Sequence, residues 1–390
     1  MKLKIAVSGG SIGGLTAALW LLNAGHDVKV FERSPTRLEG RGAGIVLHET
    51  TLRYLIEVGK VPVESISEGA QYLRYLSQAG NIVFEEETNL RFTSWNTLHR
   101  SLLSFLGNER YFLSRAVTGI DQVPNGVVVH SAGCPSEKFD LLVCAEGSSS
   151  PLRQNLLPNT LQLYSGYVGW RGVVDGARIS FETRRMLENM IVYAVPPLNQ
   201  VLSYEIPDFA VDGKKSSLIN WIWYRNVLQG SHLESLMTDI DGKTRMFSLG
   251  PGTVRPDAIA ELKNSSHHLP PQFSELIHAT SEPFVQAIID LDSPRMVFGR
   301  VCLVGDAAFT VRPHAAAGAA KAAEDGWSLA EKLTDVTNVE ESLASWESER
   351  LTVGAKVNKR SREMGDRSQK TCDWYPEDQT LRFGLHGANN

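Results

Sequence analysis

Residues 9–14 read Gly-Gly-Ser-Ile-Gly-Gly. They lie between an apolar β-type run at residues 3–7 and a helical pattern that sets Leu15, Ala18, Leu19 and Leu22 on one face. A glycine turn that opens a helix offers backbone N–H groups and the positive end of the helix dipole, so the chemistry on offer is pyrophosphate binding. The dinucleotide fingerprint G-x-G-x-x-G then asks for an acidic residue about twenty positions on. Gly9 and Gly14 hold the outer positions and Ser11 replaces the middle glycine. Glu32 follows the next β-run, residues 27–31, where it can accept from both hydroxyls of a ribose.

Two further stretches carry chemistry. Residues 144–153 read Cys-Ala-Glu-Gly-Ser-Ser-Ser-Pro-Leu-Arg. Residues 303–308 read Leu-Val-Gly-Asp-Ala-Ala, and 312–319 read Arg-Pro-His-Ala-Ala-Ala-Gly-Ala. Asp306, at a strand end beside Gly305, can bind a sugar hydroxyl. Residues 316–319 have almost no side chain, so their amides can approach an electron-rich ring or an oxyanion. The competing readings are a structural glycine turn and small residues that only permit close helix packing.

These groups need a scaffold, and the chain is large enough to build one. It has 390 residues, of which 42% are hydrophobic and 8% aromatic, which excludes intrinsic disorder. Its net charge of −5 comes without a basic run, which argues against nucleic acid as partner. The four cysteines, Cys134, Cys144, Cys302 and Cys372, form no C-x-x-C pair, so no metal site is expected and a reducing, cytoplasmic location is. No run approaches the roughly 18 apolar residues of a membrane span, so no membrane partner is expected either.

Residues 3–31 form one βαβ unit whose helix is ended by Gly25. A glycine-rich loop at 40–44 leads to a short strand at 45–47. Residues 127–130 and 141–144 read as strands returning to the first sheet, as do 297–304. Between 160 and 290 the chain is β-rich and aromatic, read as an antiparallel sheet walling a pocket. Residues 250–271 read as loop, 315–333 as an Ala-rich helix, 340–367 as a charged helix with a solvated or dimer-facing surface, and 384–390 as a weakly ordered tail.

Together the three motifs resemble the aromatic-hydroxylase family of flavoprotein monooxygenases, over residues 3 to about 362. The resemblance rests on GGSIGGLTAAL from Gly9, ERSP from Glu32, RFTSWNTL from Arg91, GYVGWRGV from Gly166, LMTDI from Leu236 and RPHAAAG from Arg312. It implies an α/β fold with a Rossmann-like FAD-binding domain, an interleaved, mainly antiparallel β-sheet substrate domain and C-terminal helices. The expected FAD-binding segments are 1–70, 96–160 and 291–335. The substrate domain takes 71–95 and 161–290, and the C-terminal helix and tail 336–390.

The same resemblance assigns roles. Gly9, Ser11, Ile12, Gly13 and Gly14 would face the FAD pyrophosphate. Glu32 would hold the ribose with Arg33 beside it, and Arg115 and Val117 would meet the adenosine half. Gly305 and Asp306 would lie near the ribityl chain, and Ala316, Ala317, Gly318, Ala319 and Ala320 near the isoalloxazine, with Pro313 lining the reaction site. NADH or NADPH would reduce the flavin, O2 would add to give a C4a-hydroperoxide, and a small electron-rich aromatic or heteroaromatic ring, a hydroxypyridine foremost, would be hydroxylated. Three departures stand out: Glu146 where the family has Asp, Phe309 where His is frequent, and Ala316 in place of glycine.

The remaining candidates are read from position. His48 follows the strand after the glycine-rich loop, and His314 follows Pro313. Tyr193, Tyr204, Trp221 and Trp223 lie on the aromatic strands, and Trp221 and Trp223 share a face. His48, His314, Pro313, Tyr193 and Trp223 are the catalytic candidates, with core packing the alternative for the aromatics. Arg171 either binds a substrate anion or makes a structural ion pair. Rival functions on the same fold are epoxidation, Baeyer–Villiger insertion, dehydrogenation and flavin binding without turnover.

Overall fold

The computed structural model describes residues 1–38, 44–209 and 215–387; residues 40–43 of the glycine-rich loop and 388–390 of the tail lie outside them. A six-stranded sheet runs in the order Val297–Phe298, Val301–Leu303, Leu141–Cys144, Lys4–Ser8, Asp27–Phe31, Tyr111–Phe112. Its neighbours are parallel except for the hairpin between the first two strands. Ile5, Ala6 and Val7 have no exposed surface. The helix Ile12–Asn23 covers one face of this strand and the strand Cys134–Phe139 of a small separate sheet covers the other, which is why it reads as a continuous apolar run rather than an alternating one.

The helices Ile12–Asn23 and Gly318–Leu333 pack on each other against this sheet. A Cβ on Gly326 would sit 2.6 Å from the Ala17 Cα, so this approach depends on glycine. The long helix Val339–Asp366 follows. Its charged sequence conceals a buried stripe of Leu343, Trp346, Arg350 and Val357 that packs it onto the body.

A second, larger sheet runs Ser248–Leu249, Phe284–Asp292, Leu163–Asp175, Lys215–Asn226, Asn199–Phe209, Met190–Ala194, Tyr72–Leu76, Ile82–Glu87. Its pairings are antiparallel except that of Met190–Ala194 with Tyr72–Leu76. Helix Pro271–Ala279 packs on one face; the other turns toward the first sheet.

Several expectations are corrected. Residues 127–130 belong to a separate three-stranded antiparallel sheet, Val117–Val123, Gly126–Ser131 and Cys134–Phe139. The stretch expected as loop contains the helix Pro256–Ser265, which Pro256 opens at the position where proline's missing N–H costs nothing. The Ala-rich helix begins at Gly318, not residue 315, because Ala316 takes a left-handed conformation at φ 51°. The described part of the tail is anchored: Gly384 N–H donates to the Ala315 carbonyl at 3.0 Å, and Leu385 is buried.

Gly326→Val should force the two helices apart and cost about 1–3 kcal/mol, as overpacking does. A urea midpoint equal to that of the unsubstituted chain would contradict the close contact.

Candidate active site

A cavity of about 610 Å³ opens between the two sheets at the carboxyl ends of the parallel strands. In doubly wound folds this is where ligands bind. At one end lies the turn at residues 9–14. Gly9 has φ +109°, and a Cβ there would lie 2.2 Å from the Ala145 carbonyl oxygen. Gly14 does not line the cavity. Its Cβ would lie 1.9 Å from the Gly9 oxygen, so it serves strand–helix packing rather than ligand contact. Gly9, Ser11, Ile12 and Gly13 do line the cavity, and the helix starting at Ile12 has no side-chain cap. Its first N–H groups are therefore open to an anion.

Glu32 is buried at the end of the second strand. Its Oε2 accepts from Gly10 N–H and its Oε1 from Ser34 N–H, each at 2.8 Å. A carboxylate has about four acceptor positions, so lone pairs remain for hydroxyl donors. Arg33 and Val117 line the same end, as does Arg115, which pairs with Glu137 at 2.8 Å and lies 4.8 Å over the Phe31 ring. Glu146, the departure from Asp, accepts from the Ser8 hydroxyl at 2.6 Å and the Ser150 hydroxyl at 2.7 Å. The longer side chain thus ties the first strand to the helix Pro151–Leu156.

The turn at Gly305 and Asp306 is set by groups not anticipated from sequence. Asp325 Oδ2 accepts from Gly305 N–H at 2.8 Å, and Lys321 Nζ donates to the Gly305 carbonyl at 3.0 Å. Lys321 and Asp325 pair at 2.7 Å with no exposed side-chain surface, and Arg350 reaches Asp325 at 2.8 Å. Burial alone would raise the Asp325 carboxyl, but Lys321 and Arg350 hold it below the usual range. Asp306 projects into the cavity. Its side chain keeps solvent exposure there, while the surrounding protein and Asp325 push its carboxyl up to about 6 and Lys321 opposes this.

Pro313 leads into the small-residue turn. Ala316, Gly318 and Ala319 line the cavity; Ala317 and Ala320 do not, and are buried in the neighbouring aromatic core. His48 does not line the cavity either. Its Nε2 meets the Ala316 carbonyl at 3.0 Å, and burial pushes its pKa down, so it braces the turn.

The larger sheet supplies the remaining wall, with Arg171, Tyr193, Leu202, Tyr204, Ile222 and Tyr224 facing in. Trp223 is a correction. Strand alternation does put it with Trp221, but on the opposite face, in the core with Phe273, where its indole N–H donates to Asn199 Oδ1 at 3.0 Å. His314 lines the cavity with its ring 4.4 Å from Tyr224. Its Nε2 meets the Tyr167 hydroxyl at 3.0 Å and its Nδ1 meets Gln200 Oε1 at 2.6 Å. Burial, aided by Arg312, pushes its pKa down to about 3, so it is neutral. Phe383, from the tail, closes the cavity, a contact no periodicity announced.

The residues present fit a flavin dinucleotide: a cradle at Gly9 that a Cβ would fill, an uncapped helix start, acceptor positions left on Glu32, and a side-chain-poor turn across from an aromatic wall. Fold and cavity together define an oxidoreductase of the nucleotide-cofactor class. The FAD binding domain-like family matches residues 164–290 and the FAD binding domain family residues 290–361. The chain is 35% identical to the 2,6-dihydroxypyridine 3-monooxygenase of Paenarthrobacter nicotinovorans, over 98% of this chain and 96% of that protein. It is 26% identical to the 6-hydroxynicotinate 3-monooxygenase of Pseudomonas fluorescens, over 91% and 89%. It superposes on the solved 2,6-dihydroxypyridine-3-hydroxylase from Arthrobacter nicotinovorans with a TM-score of 0.94, covering 98% of this chain and 97% of that one. The chain belongs to the FAD-dependent aromatic hydroxylase family of flavoprotein monooxygenases. Among the described residues no helix is long and apolar enough to cross a membrane.

Asp306→Asn should act in opposite directions on two measurements. The raised carboxyl destabilises the apoprotein only where it is charged: not below about pH 4, progressively from there to about 6, and fully above. The Asn variant's apoprotein should therefore melt higher than wild type at pH 8, with the gap closing below pH 4. Flavin retention on gel filtration should fall, by about 1–3 kcal/mol if a sugar contact is lost. A melting difference independent of pH would contradict the assigned environment.

Proposed function

We propose that this enzyme uses NADH or NADPH and O2 to hydroxylate a hydroxypyridine ring, with FAD held along the cavity just described. The observation that carries this reading is the juxtaposition of an aromatic wall with the side-chain-poor turn at 316–319, in a chain similar over its whole length to a dihydroxypyridine monooxygenase. When bound, FAD supplies the reduction by nicotinamide and the activation of dioxygen, with one oxygen atom going to the ring and the other to water.

The protein's own share is binding, orientation and exclusion of water. Ser11, Ile12 and Gly13 offer N–H groups to the pyrophosphate, and Gly9 lets the backbone pass close by. Glu32 accepts from the ribose, Arg33, Arg115 and Val117 flank the adenosine, and Asp306 meets the ribityl side. Ala316, Gly318 and Ala319 place backbone against the flavin ring, and Pro313 and His314 border the space left for substrate. Tyr193, Leu202, Ile222, Tyr224 and Phe383 form an apolar wall that keeps bulk water from the reacting atoms.

His314 is not a proton acceptor in this scheme, because both ring nitrogens already have partners and the ring is neutral. It instead ties Tyr167, behind the wall, to Gln200, which lines the cavity. The groups that hold it extend outward: Arg312 pairs with Asp290 at 2.6 Å and with Asp366 at 2.7 Å. Domain roles follow the same division, the parallel layer serving FAD and the large sheet the ring.

A panel of hydroxypyridines and phenols should include at least one ring that stimulates NAD(P)H oxidation and gains a single oxygen, labelled when 18O2 is supplied. Unlabelled product, or no ring-dependent oxidation, would overturn the reading; label at a carbonyl-derived ester or an epoxide would point to the rival chemistries. His314→Gln should leave the shape of the kcat/KM profile between pH 6 and 9 unchanged. Loss of an inflection near pH 6–7 would show that His314 titrates there.

A further inference from the structure

Arg171 is half-buried and differs from the fully buried arginines in what it meets. Arg312 and Arg350 each meet a carboxylate at 2.6–2.8 Å, Arg74 is paired with Glu85 at 2.5 Å, and Arg153 donates to the Ser148 carbonyl at 2.6 Å. Arg171 sits in the middle of the Leu163–Asp175 strand with no carboxylate in ion-pair distance among the described residues. Its Nε is buried without a hydrogen-bond partner. A guanidinium left without a counter-charge on a cavity wall presents its fork of N–H donors to an anionic ligand.

Register places it. Arg171 lies directly across from Ile222, and Gly169, two residues earlier, across from Tyr224. Tyr204 is two residues beyond Leu202, which faces Ile222 from the next strand. The guanidinium therefore shares the cavity face with Tyr204 and Tyr224, and its charge reaches both hydroxyls. Of the other arginines lining the cavity, Arg115 is paired with Glu137 and Arg33 is exposed beside Glu32, both at the dinucleotide end.

Among the described residues, the ring end also lacks a group to take a proton from substrate. Both nitrogens of His314 are engaged, and burial keeps Tyr193, Tyr204 and Tyr224 protonated. The carboxylates that line the cavity, Glu32, Glu146 and Asp306, all stand with the glycine turns of the dinucleotide end. Resting on the hydroxypyridine reading above, we propose that Arg171 is the anion-binding residue of the ring site: the substrate enters as its monoanion and the guanidinium donates to the charged ring oxygen. The proton is left in bulk water before binding, so the site needs no base for this step. The bound ring stays electron-rich, and Arg171, which meets no carboxylate among the described residues, gains its counter-charge from a ligand that ionises.

The test uses FAD-loaded enzyme and reads binding from the change in flavin absorbance, without turnover. Two ring ligands are compared, 2,6-dihydroxypyridine above its first ionisation and its non-ionising dimethoxy analogue; azide serves as a ring-free anion. Arg171→Gln should weaken the ionised ring about 10- to 100-fold, the range of a lost charge-assisted contact, and azide similarly, while changing the dimethoxy analogue about twofold at most. Arg171→Lys should recover part of the loss for both anions. Unchanged FAD stoichiometry and melting temperature show that the variants fold. Equal weakening of ionised and neutral rings, or no weakening of either anion, would overturn the proposal. The azide arm decides it even if no hydroxypyridine is turned over, and wild-type turnover with an unselective Arg171→Gln would sink the anion site alone.

Discussion

The cluster of Lys321, Asp325 and Arg350 is the contact on which the cavity's geometry depends. It joins the strand Val301–Leu303, through Gly305, to the helix Gly318–Leu333 and to the long helix Val339–Asp366. Each partner alone would be an expensive buried charge; together, with the Gly305 amide and carbonyl as additional partners, they are satisfied. Because both backbone groups of Gly305 are held, the direction in which Asp306 leaves the strand is fixed. The helix that carries Lys321 and Asp325 also begins with the side-chain-poor turn, so the same charges set the distance between that turn and the sheet.

The other half of the site is organised by neutral contacts. His314 ties Tyr167 to Gln200, and Arg312 behind it is neutralised by Asp290 and Asp366. Stacked pairs, Tyr75 with Tyr193 and Phe92 with Tyr204, stiffen the wall at ring separations of 5.1 and 4.2 Å. The polar groups of His314, Tyr167 and Gln200 are committed to one another, so they brace the wall rather than react with a ring held against it.

The sequence made the dinucleotide end readable because local spacing and chemistry coincide there. Gly9, Ser11 and Glu32 are constrained by one turn and one strand, and Asp306 by the end of another. The ring end was less readable. Alternation correctly grouped Trp221 with Trp223 but cannot say which face meets the cavity; residues 222 and 224 do. His48 was adjacent to the right turn yet bonds its backbone. Arg171 could not be assigned, since a carboxylate across the sheet would be invisible in a linear reading. Lys321 and Asp325 did carry a signal, opposite charges four residues apart inside an Ala-rich apolar stretch. Phe383 carried none, because its place depends on tertiary anchoring of a segment without periodicity.

The strand order of the parallel sheet has a kinetic corollary. Its central strand, Lys4–Ser8, is flanked by Leu141–Cys144, which is in turn flanked by Val301–Leu303. Pairings so remote along the chain must wait for large loops to close, a slow route with unpaired edges in the interim. Neither layer can mature from a contiguous fragment. During synthesis the nascent N-terminal βαβ unit, ending at Phe31, remains an incomplete sheet until the strand Val301–Leu303 arrives, a long window in which chaperones have an edge to shield.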